Sequence, residues 1–189
     1  MLERIQDFDD FLLGIIQDNL HNIVLDIVMP FLSTLGNLGF IWIVTAVVLI
    51  CLKKYRAVGI TLLVALLLCL LIGNLGLKPL IARPRPCWVN PEVFLLIPNP
   101  TDYSFPSGHT LASFAAATVL FWHSKRLGFC ALFVASLIAF SRLYLYVHYP
   151  TDVLGGILIG VGIGLTAVFL YRTISRHLQD RKSAKPETG

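Results

Sequence analysis

Five long apolar runs divide the chain, and short polar segments separate them. Each run approaches the roughly 20 residues that a helix needs to cross a bilayer. The runs cover residues 35–52, 57–77, 105–122, 127–147 and 153–171. Polar interruptions inside them are few, the main ones being Asn74, Ser141 and Arg142. The pattern predicts an all-α, polytopic transmembrane helix bundle.

The first 34 residues are less uniformly apolar and indicate amphipathic helices. Apolar side chains recur there with helical spacing, and acidic residues occupy the opposite face. The recurring positions are Phe8, Phe11, Leu12, Ile15 and Ile16. Polar residues and Pro30 interrupt the segment that follows. We expect one or two helices lying at the membrane interface, with a distorted extra span as the alternative, which gives five to six spans in total.

These elements form one domain over residues 1–178. Within it, residues 1–34 hold the interfacial amphipathic helices and residues 35–172 hold the core bundle. Residues 179–189 are polar, and we expect this tail to be disordered.

Composition agrees with a membrane protein. The chain is 56% hydrophobic and 14% charged, whereas a soluble domain carries roughly 25% charged residues. A formal net charge of +4 is too small to indicate nucleic-acid binding. Three of the four cysteines lie in apolar runs, and no spacing typical of metal ligands occurs, so neither a disulfide framework nor a structural zinc site is expected.

Basic residues fall into three clusters that would share one membrane face if each run crosses once. They are Lys53, Lys54 and Arg56; Lys125 and Arg126; and Arg172, Arg176, Arg181, Lys182 and Lys185. The positive-inside rule makes this face, and the C-terminus, cytoplasmic. We therefore expect a multi-pass protein of the plasma or inner membrane, with the other helix ends facing outside.

That opposite face collects the polar residues that carry candidate chemistry. Three segments distant in sequence deliver to it four cations, two histidines and a carboxylate. They are Lys78, Arg83 and Arg85; Ser107, Gly108 and His109; and Arg142, His148 and Asp152. Lys78, Arg83 and Arg85 alone could be interfacial anchors. Arg142 does not fit that explanation, and a bound dianion such as phosphate accounts for all four cations.

The two histidine segments fit phosphoryl chemistry. Pro106-Ser107-Gly108 is typical of a helix start, where free N–H groups and the helix dipole favour an anion. Asp152 lies one turn into a helix predicted to begin near Tyr149 or Pro150, and it can orient the imidazole of His148. A surface histidine beside a helix-capping aspartate is the alternative for that pair.

Taken together, the segments resemble the signature motifs of the type-2 phosphatidic acid phosphatase family. The motifs are Lys78-x6-Arg85-Pro86, Pro106-Ser107-Gly108-His109 and Ser141-Arg142-x5-His148-x3-Asp152. The resemblance implies that His148 attacks phosphorus to form a phosphohistidine, oriented by Asp152, while His109 protonates the leaving oxygen. It implies phosphate binding by Lys78, Arg85, Ser107, Gly108 and Arg142. Arg83 lies outside the signature and receives a supporting role. No metal or other cofactor is implied.

The expected substrate is a lipid-linked phosphate, because the site opens at a membrane interface. Similarity to bacterial enzymes favours undecaprenyl diphosphate, with phosphatidylglycerophosphate, phosphatidic acid or a lipid phosphotransferase activity as alternatives. Apolar residues 93–97 either dip into the leaflet or pack on the chain's own helices. A transporter or scaffold is the rival class, because intramembrane polar residues can mark a pathway.

Glycines recur every four residues in the last run. Gly156, Gly160 and Gly164 predict a close-packing face. Its partner is either another helix of the same chain or, in a homodimer, a second copy.

Overall fold

The computed structural model describes residues 2–183, and these residues form helices and connecting turns without a strand. The helices are α1 (Leu2–Leu20), α2 (Ile23–Gly36), α3 (Phe40–Cys51), α4 (Arg56–Leu68), α5 (Lys78–Ile81), α6 (Pro86–Val89), α7 (Gly108–His123), α8 (Lys125–Tyr144) and α9 (Pro150–Ser183). A π-helical stretch, Cys69–Leu77, joins α4 to α5 without a break. The all-α prediction is confirmed.

Four helical stretches among the described residues are long and apolar enough to cross a membrane: Ile23–Cys51, Lys53–Val89, Lys125–Tyr144 and Pro150–His177. Helix α7 has 16 residues, which at 1.5 Å per residue corresponds to about 24 Å. It packs along both α8 and α9, and nine of its side chains are buried. Helix α7 is therefore the central member of a bundle in which five stretches run side by side.

The first 34 residues contain the two helices that the pattern predicts. Asn22 caps α2 by accepting hydrogen bonds from the N–H groups of Val24 and Leu25. Helix α2 extends to Gly36, and a bend at Leu38 and Gly39, both with positive φ, leads into α3. Helices α2 and α3 thus form one bent stretch, and α1 packs on α8 and α9. That α1 lies at the membrane interface stays a prediction.

The glycine face of α9 is covered by α7. A Cβ atom at Gly160 would lie 2.6 Å from the carbonyl oxygen of Leu111, and one at Gly164 would lie 2.8 Å from that of Ala115. Such approaches require glycine. The partner of this face is therefore a helix of the same chain, which leaves it unavailable for the homodimer considered from sequence.

The two ends of the helix bundle differ in the polar residues that they carry. At one end Tyr55 packs edge-on against His123, with ring centroids 5.5 Å apart, and Arg172 lies 4.8 Å from the ring centroid of Trp122. The three basic clusters thus begin at one end, which we call the basic end. The opposite end, called the site end, holds Lys78, His109 and His148.

Two helix boundaries differ from the sequence prediction. Helix α8 ends at Tyr144 rather than Val147, because Tyr146 adopts a left-handed conformation (φ 57°) that a helix cannot contain. Arg142 therefore lies in the last turn of α8. Helix α9 continues to Ser183, past the point where the disordered tail was expected to begin, because 179–183 prolong an existing helix at little nucleation cost. Residues 184–189 lie outside the described part of the chain.

The loop between α6 and α7 packs mainly inward. Leu95, Leu96 and Ile97 contact a buried cluster at the site end that includes Met29 and Val147. Phe94 is the exception, with 85% of its surface exposed. Most of the apolar run thus packs on the chain's own helices, one of the two outcomes expected from sequence.

Candidate active site

Five of the predicted site residues line one cavity of about 370 Å³ at the site end of the bundle. They are Lys78, Arg85, His109, Arg142 and His148. Three helical stretches, together with the turns beside them, bring these side chains together. Lys78, Arg85, Arg142 and His148 are each at most 5% exposed. Buried cations are costly unless an anion compensates them, so this cavity is suited to an anionic group.

The Arg85 guanidinium fixes the hydrogen-bonding role of His148. Its Nη1 atom lies 3.1 Å from Nε2 of His148 and also donates to the carbonyl oxygen of Val147 at 2.6 Å. An arginine has donors only, so Nε2 must accept. The proton of neutral His148 is then on Nδ1, and the lone pair of Nε2 points toward the cavity-lining cations.

Burial favours the neutral form of this imidazole. Burial lowers the pKa of His148 well below its ordinary value, and the charges of Arg85, Arg142 and Lys78 lower it further. At neutral pH the ring is therefore uncharged, and its Nε2 keeps the lone pair that accepts from Arg85. This is the protonation state that a nitrogen nucleophile requires.

Asp152 lies behind His148, outside the cavity lining, and is fully buried. Its Oδ2 is 3.6 Å from Nδ1 of His148. The same oxygen accepts hydrogen bonds from the N–H of Tyr149 at 2.8 Å and from the hydroxyl of Ser104. Ser104 Oγ is also 3.4 Å from Nδ1 of His148. The carboxylate is thus held on the side of the imidazole that carries the proton.

A second carboxylate, that of Asp102, forms ion pairs with two of the cations that line the cavity. Asp102 forms ion pairs with Lys78 and Arg85, the latter at 2.7 Å, and its side chain is 55% exposed. Burial would raise the pKa of Asp102, but hydrogen bonds and charges from Lys78 and Arg85 hold it at about 2. Asp102 therefore stays ionised and faces the donors that the sequence assigns to phosphate.

The guanidinium of Arg142 has one hydrogen-bond donor that pairs with none of the described residues. Its Nη1 donates to the hydroxyl of Ser33 on α2. Its Nε is buried and, among the described residues, has no hydrogen-bond partner. A buried donor without a partner costs free energy unless a ligand accepts from it. Arg142 is thus suited to bind an anion in the adjoining cavity.

His109 approaches the cavity from the first turn of α7. Its Nε2 lies 2.9 Å from Oδ1 of Asn37, in the bend between α2 and α3. Ser107 and Gly108, in contrast, do not line this cavity. Ser107 is buried and its hydroxyl accepts from Thr110 at 3.0 Å, while Gly108 borders a neighbouring cavity. A Cβ at Gly108 would lie 2.9 Å from Oδ1 of Asn74, so a larger residue there would displace the Asn74 side chain.

Arg83 is separated from the cavity by Asp152. Its Nη1 donates to Oδ1 of Asp152 at 2.7 Å, and its Nη2 donates to Asp9 at 2.7 Å. The sequence grouped Arg83 with three phosphate-facing cations. Arg83 pairs with two carboxylates and does not join the other three cations, and the supporting role given to it from sequence stays a prediction.

Sequence reasoning missed five polar residues around the site. They are Asp9, Ser33, Asn37, Asp102 and Ser104. Asp102 and Ser104 immediately precede the Pro106-Ser107-Gly108 motif, and that proximity was a usable signal. Asp9, Ser33 and Asn37 are far from every motif in sequence, and only the packing of α1 and α2 reveals them.

An apolar groove opens beside the cationic cavity. It encloses about 450 Å³ and has polar residues, including Lys78, Asp102 and His109, at one end. The rest is largely aliphatic, with Leu38, Ile43, Leu63, Leu66, Leu67 and Leu70 among its lining residues. These side chains come from α3, α4 and the adjoining turns. The groove offers apolar surface directly beside a site for an anion.

Known proteins resemble this chain in sequence and in fold. A family model described as the PAP2 superfamily matches residues 55–176. An undecaprenyl-diphosphatase of Sulfolobus acidocaldarius is 38% identical over 147 residues, which is 77% of this chain and 70% of that protein. Undecaprenyl-diphosphatase BcrC of Bacillus subtilis is 32% identical over 148 residues, covering 76% of this chain and 74% of its own.

A solved structure confirms the fold. The crystal structure of a transmembrane PAP2 type phosphatidylglycerolphosphate phosphatase from Bacillus subtilis superimposes with a TM-score of 0.72. It is 24% identical in sequence, and the match covers 97% of this chain and 89% of that one. The family model and the two relatives confirm the resemblance of the three motifs, and the chain belongs to the PAP2 superfamily.

Proposed function

We propose that this protein removes the terminal phosphate of a lipid-linked diphosphate, with undecaprenyl diphosphate as substrate and undecaprenyl phosphate as product. The observation that carries the proposal is the cavity in which two histidines and three buried cations meet. The adjoining aliphatic groove supports a lipid substrate, because it can hold the first part of a hydrocarbon chain.

The first chemical step is phosphoryl transfer to His148. The Nε2 lone pair attacks phosphorus, a P–N bond forms, and the bond between phosphorus and the leaving oxygen breaks. His109 gives its proton to that oxygen, so the shortened lipid phosphate leaves. Asp152 compensates the positive charge that the imidazole acquires.

The second step returns the enzyme to its starting state. His109, now neutral, takes a proton from a water molecule as the water attacks phosphorus. The P–N bond breaks, inorganic phosphate leaves, and both histidines recover their original protonation.

The cations stabilise the phosphoryl group in both steps. Lys78, Arg85 and Arg142 provide donors on several sides of the cavity, and the unpartnered Nε of Arg142 can bind one oxygen without breaking an existing bond. Phosphoryl transfer depends mainly on such positioning and charge stabilisation. Gly108 would contribute through its backbone N–H at the start of α7. The N–H of Ser107 already donates to the carbonyl oxygen of Asp152 at 3.2 Å, and its hydroxyl accepts from Thr110.

Two relatives support the choice of substrate by their names, since both are described as undecaprenyl-diphosphatases. Phosphatidylglycerophosphate and phosphatidic acid are the alternatives within the same fold, and a phosphotransferase would pass the phosphoryl group to an acceptor other than water. Fold alone does not select among them.

Purified protein in detergent should release phosphate from undecaprenyl diphosphate with a higher kcat/KM than from phosphatidylglycerophosphate or phosphatidic acid. Release should continue in EDTA. His148→Ala should abolish it, while His177→Ala, an exposed histidine in the distal half of α9, serves as the matched control. Phosphate release that survives in His148→Ala would contradict the phosphohistidine mechanism. A phosphorylated acceptor in place of free phosphate would indicate a transferase.

We also propose that the site end faces outside and the basic end faces the cytoplasm. The three basic clusters near one end support this orientation through the positive-inside rule. Single-cysteine variants test it with a membrane-impermeant thiol reagent on intact cells. Glu92→Cys, in the loop at the site end, should react, whereas native Cys51 at the end of α3 should react only after lysis.

A further inference from the structure

A buried aspartate on α1 is connected to the catalytic Asp152 through one guanidinium group. The side chain of Asp9 is fully buried. It accepts a hydrogen bond from Arg83 Nη2 at 2.7 Å and one from the N–H of Thr151 at 2.9 Å. Its exposed neighbours on the same helix, Asp7 and Asp10, make no such contact with Arg83. Asp9 is thus the acid of this helix that is built into the core at the site end.

Arg83 bridges the two buried carboxylates. Nη1 binds Asp152 and Nη2 binds Asp9, each at 2.7 Å, and the arginine side chain is 18% exposed. Its guanidinium also stacks over the ring of Tyr149 at 4.0 Å. Arg83 does not line the phosphate cavity, so it reaches the site by its contact with Asp152 and not by contact with a bound phosphate.

The net charge of the cluster formed by Asp9, Arg83 and Asp152 determines how well a positive charge on His148 is stabilised. Arg83 paired with Asp152 alone would form a neutral unit, and that unit would stabilise an imidazolium poorly. Adding Asp9 gives two negative charges and one positive charge, so the cluster carries one net negative charge. Because the carboxylates are buried, solvent screens this charge weakly.

We propose that Asp9 and Arg83 are positioning residues of the reaction, and that Asp9 keeps the Asp152 cluster negatively charged. Arg83 holds the Oδ1 atom of Asp152, which leaves Oδ2 directed toward Nδ1 of His148. Asp9 balances the charge of Arg83, so Asp152 can still stabilise the positive phosphoimidazole that forms on His148. The N-terminal helix thereby becomes part of the catalytic apparatus. This inference rests on the proposed phosphohistidine chemistry.

The proposal predicts a specific pattern in a double-mutant cycle. Asp9→Asn leaves Arg83 to neutralise Asp152, so kcat should fall by about 10- to 100-fold, the range seen when outer partners of a functional group are lost. Arg83→Gln leaves two buried carboxylates without the cation that they share, and a proton taken up by Asp152 would remove the charge that faces His148. Its kcat should also fall.

The double variant Asp9→Asn/Arg83→Gln restores one net negative charge on the cluster. Its kcat should exceed that of both single variants by at least about fivefold. Such a recovery means that the effects of the two substitutions are coupled and not additive. KM should stay within about twofold throughout, because a tenfold change would require the loss of about 1.4 kcal/mol of substrate binding. None of these residues lines the cavity.

A purely structural role for Asp9 predicts the opposite pattern. If Asp9 only attaches α1 to α9, the double variant loses more contacts than either single variant and should be the least active and least stable of the three. Steady-state kinetics and thermal unfolding in the same detergent distinguish the two patterns. Asp7→Asn, an exposed acid on the same helix, is the matched control and should keep wild-type kcat.

Two results would overturn the proposal: wild-type kcat in Asp9→Asn, or a double variant no faster than the slower single variant. If Asp9→Asn does not insert stably, the kcat of the double variant is compared with that of Arg83→Gln alone. A double variant that is no faster than Arg83→Gln then overturns the proposal. Wild-type phosphate release and its loss in His148→Ala, measured in the same membranes, test the proposed function separately from the role of Asp9.

Discussion

Arg85 donates a hydrogen bond to Nε2 of His148 across 3.1 Å, so the proposed attacking atom and a proposed phosphate-binding group are already in contact. This contact fixes the tautomer of His148, because a guanidinium cannot accept. It also occupies the lone pair. When a phosphoryl group enters the cavity, the Nη1 donor of Arg85 must turn toward a phosphate oxygen, and Nε2 becomes free to attack.

The pH profile of kcat/KM should reflect the protonation of His148. Attack needs the neutral ring, and burial together with nearby cations holds the pKa of His148 well below its ordinary value of about 6.5. Lowering the pH to 6 should therefore leave most of the enzyme active, and activity should fall only in more acidic solution. The profile should be measured with a diphosphate and a monophosphate lipid, since the substrate titrates too.

An acid limb centred near pH 7 or above for both substrates would contradict this prediction. It would mean that the charge of Asp152 outweighs burial and the three cations. The control is Glu92→Gln, which removes an exposed acid of the loop between α6 and α7 and should not move the limb.

Asp102→Asn should strengthen binding of the product phosphate. The carboxylate pairs with Lys78 and Arg85 in the absence of substrate, so it competes with phosphate for these donors. Removing its charge should lower the inhibition constant of inorganic phosphate by about tenfold, equivalent to about 1.4 kcal/mol. Inhibition assays at several phosphate concentrations measure this directly.

The control for that prediction is Glu92→Gln, which removes an exposed acid from the same loop. It should leave phosphate inhibition unchanged. If Asp102→Asn weakens phosphate binding instead, the carboxylate has a structural role in holding Lys78 and Arg85 in place, and the competition between it and the substrate is refuted.

His109→Ala should separate the two chemical steps. With a good leaving group such as a nitrophenol, departure needs little help from an acid, whereas hydrolysis of the intermediate still needs a base. The variant should therefore accumulate phosphoenzyme on a nitrophenyl phosphate ester bearing an alkyl chain. Samples quenched in alkaline detergent, with the transferred phosphoryl group labelled, would reveal it as an acid-labile, base-stable adduct.

The same variant should form no detectable adduct from a lipid monophosphate such as phosphatidic acid, whose alkoxide leaves poorly. The double variant His109→Ala/His148→Ala should be free of label with either compound. Label that persists in the double variant would place the covalent bond on another residue.

Arg142→Lys should reduce kcat/KM by about 10² to 10³, or about 2.7–4 kcal/mol, which is the usual cost of one well-placed donor in such a site. Lysine keeps the charge but loses the planar set of donors, including the buried Nε that has no partner among the described residues. Steady-state assays measure this loss, and Arg172→Lys at the basic end is the matched control. Wild-type activity in Arg142→Lys would mean that charge alone suffices at this position.

Much of the site was predictable because its residues cluster at helix ends. Lys78, His109 and His148 each stand where an apolar run begins or ends, so topology alone predicts that they share one end of the bundle. The start of α9 at Pro150 was predictable for the same reason, since proline favours the first turn. These features depend on local sequence and on the number of crossings.

The remaining features depend on packing between distant segments. Asp9 and Arg83 are 74 residues apart, and no periodicity along α1 distinguishes Asp9 from Asp7 or Asp10 as the acid that becomes buried. The π-helical stretch that brings Asn74 beside Gly108 is likewise absent from the hydropathy pattern. Sequence therefore predicted the reacting groups better than the groups that hold them.

The glycine contacts between α7 and α9 affect the distance between the two histidines of the proposed mechanism, His109 and His148. His109 begins α7, Asp152 lies in the first turn of α9, and below them the two backbones nearly touch at Gly160. Any side chain there would wedge the helices apart and, by leverage, widen the gap that a single phosphorus atom has to bridge. Loss of catalysis can thus originate deep in the hydrocarbon layer, at a residue that never meets a substrate.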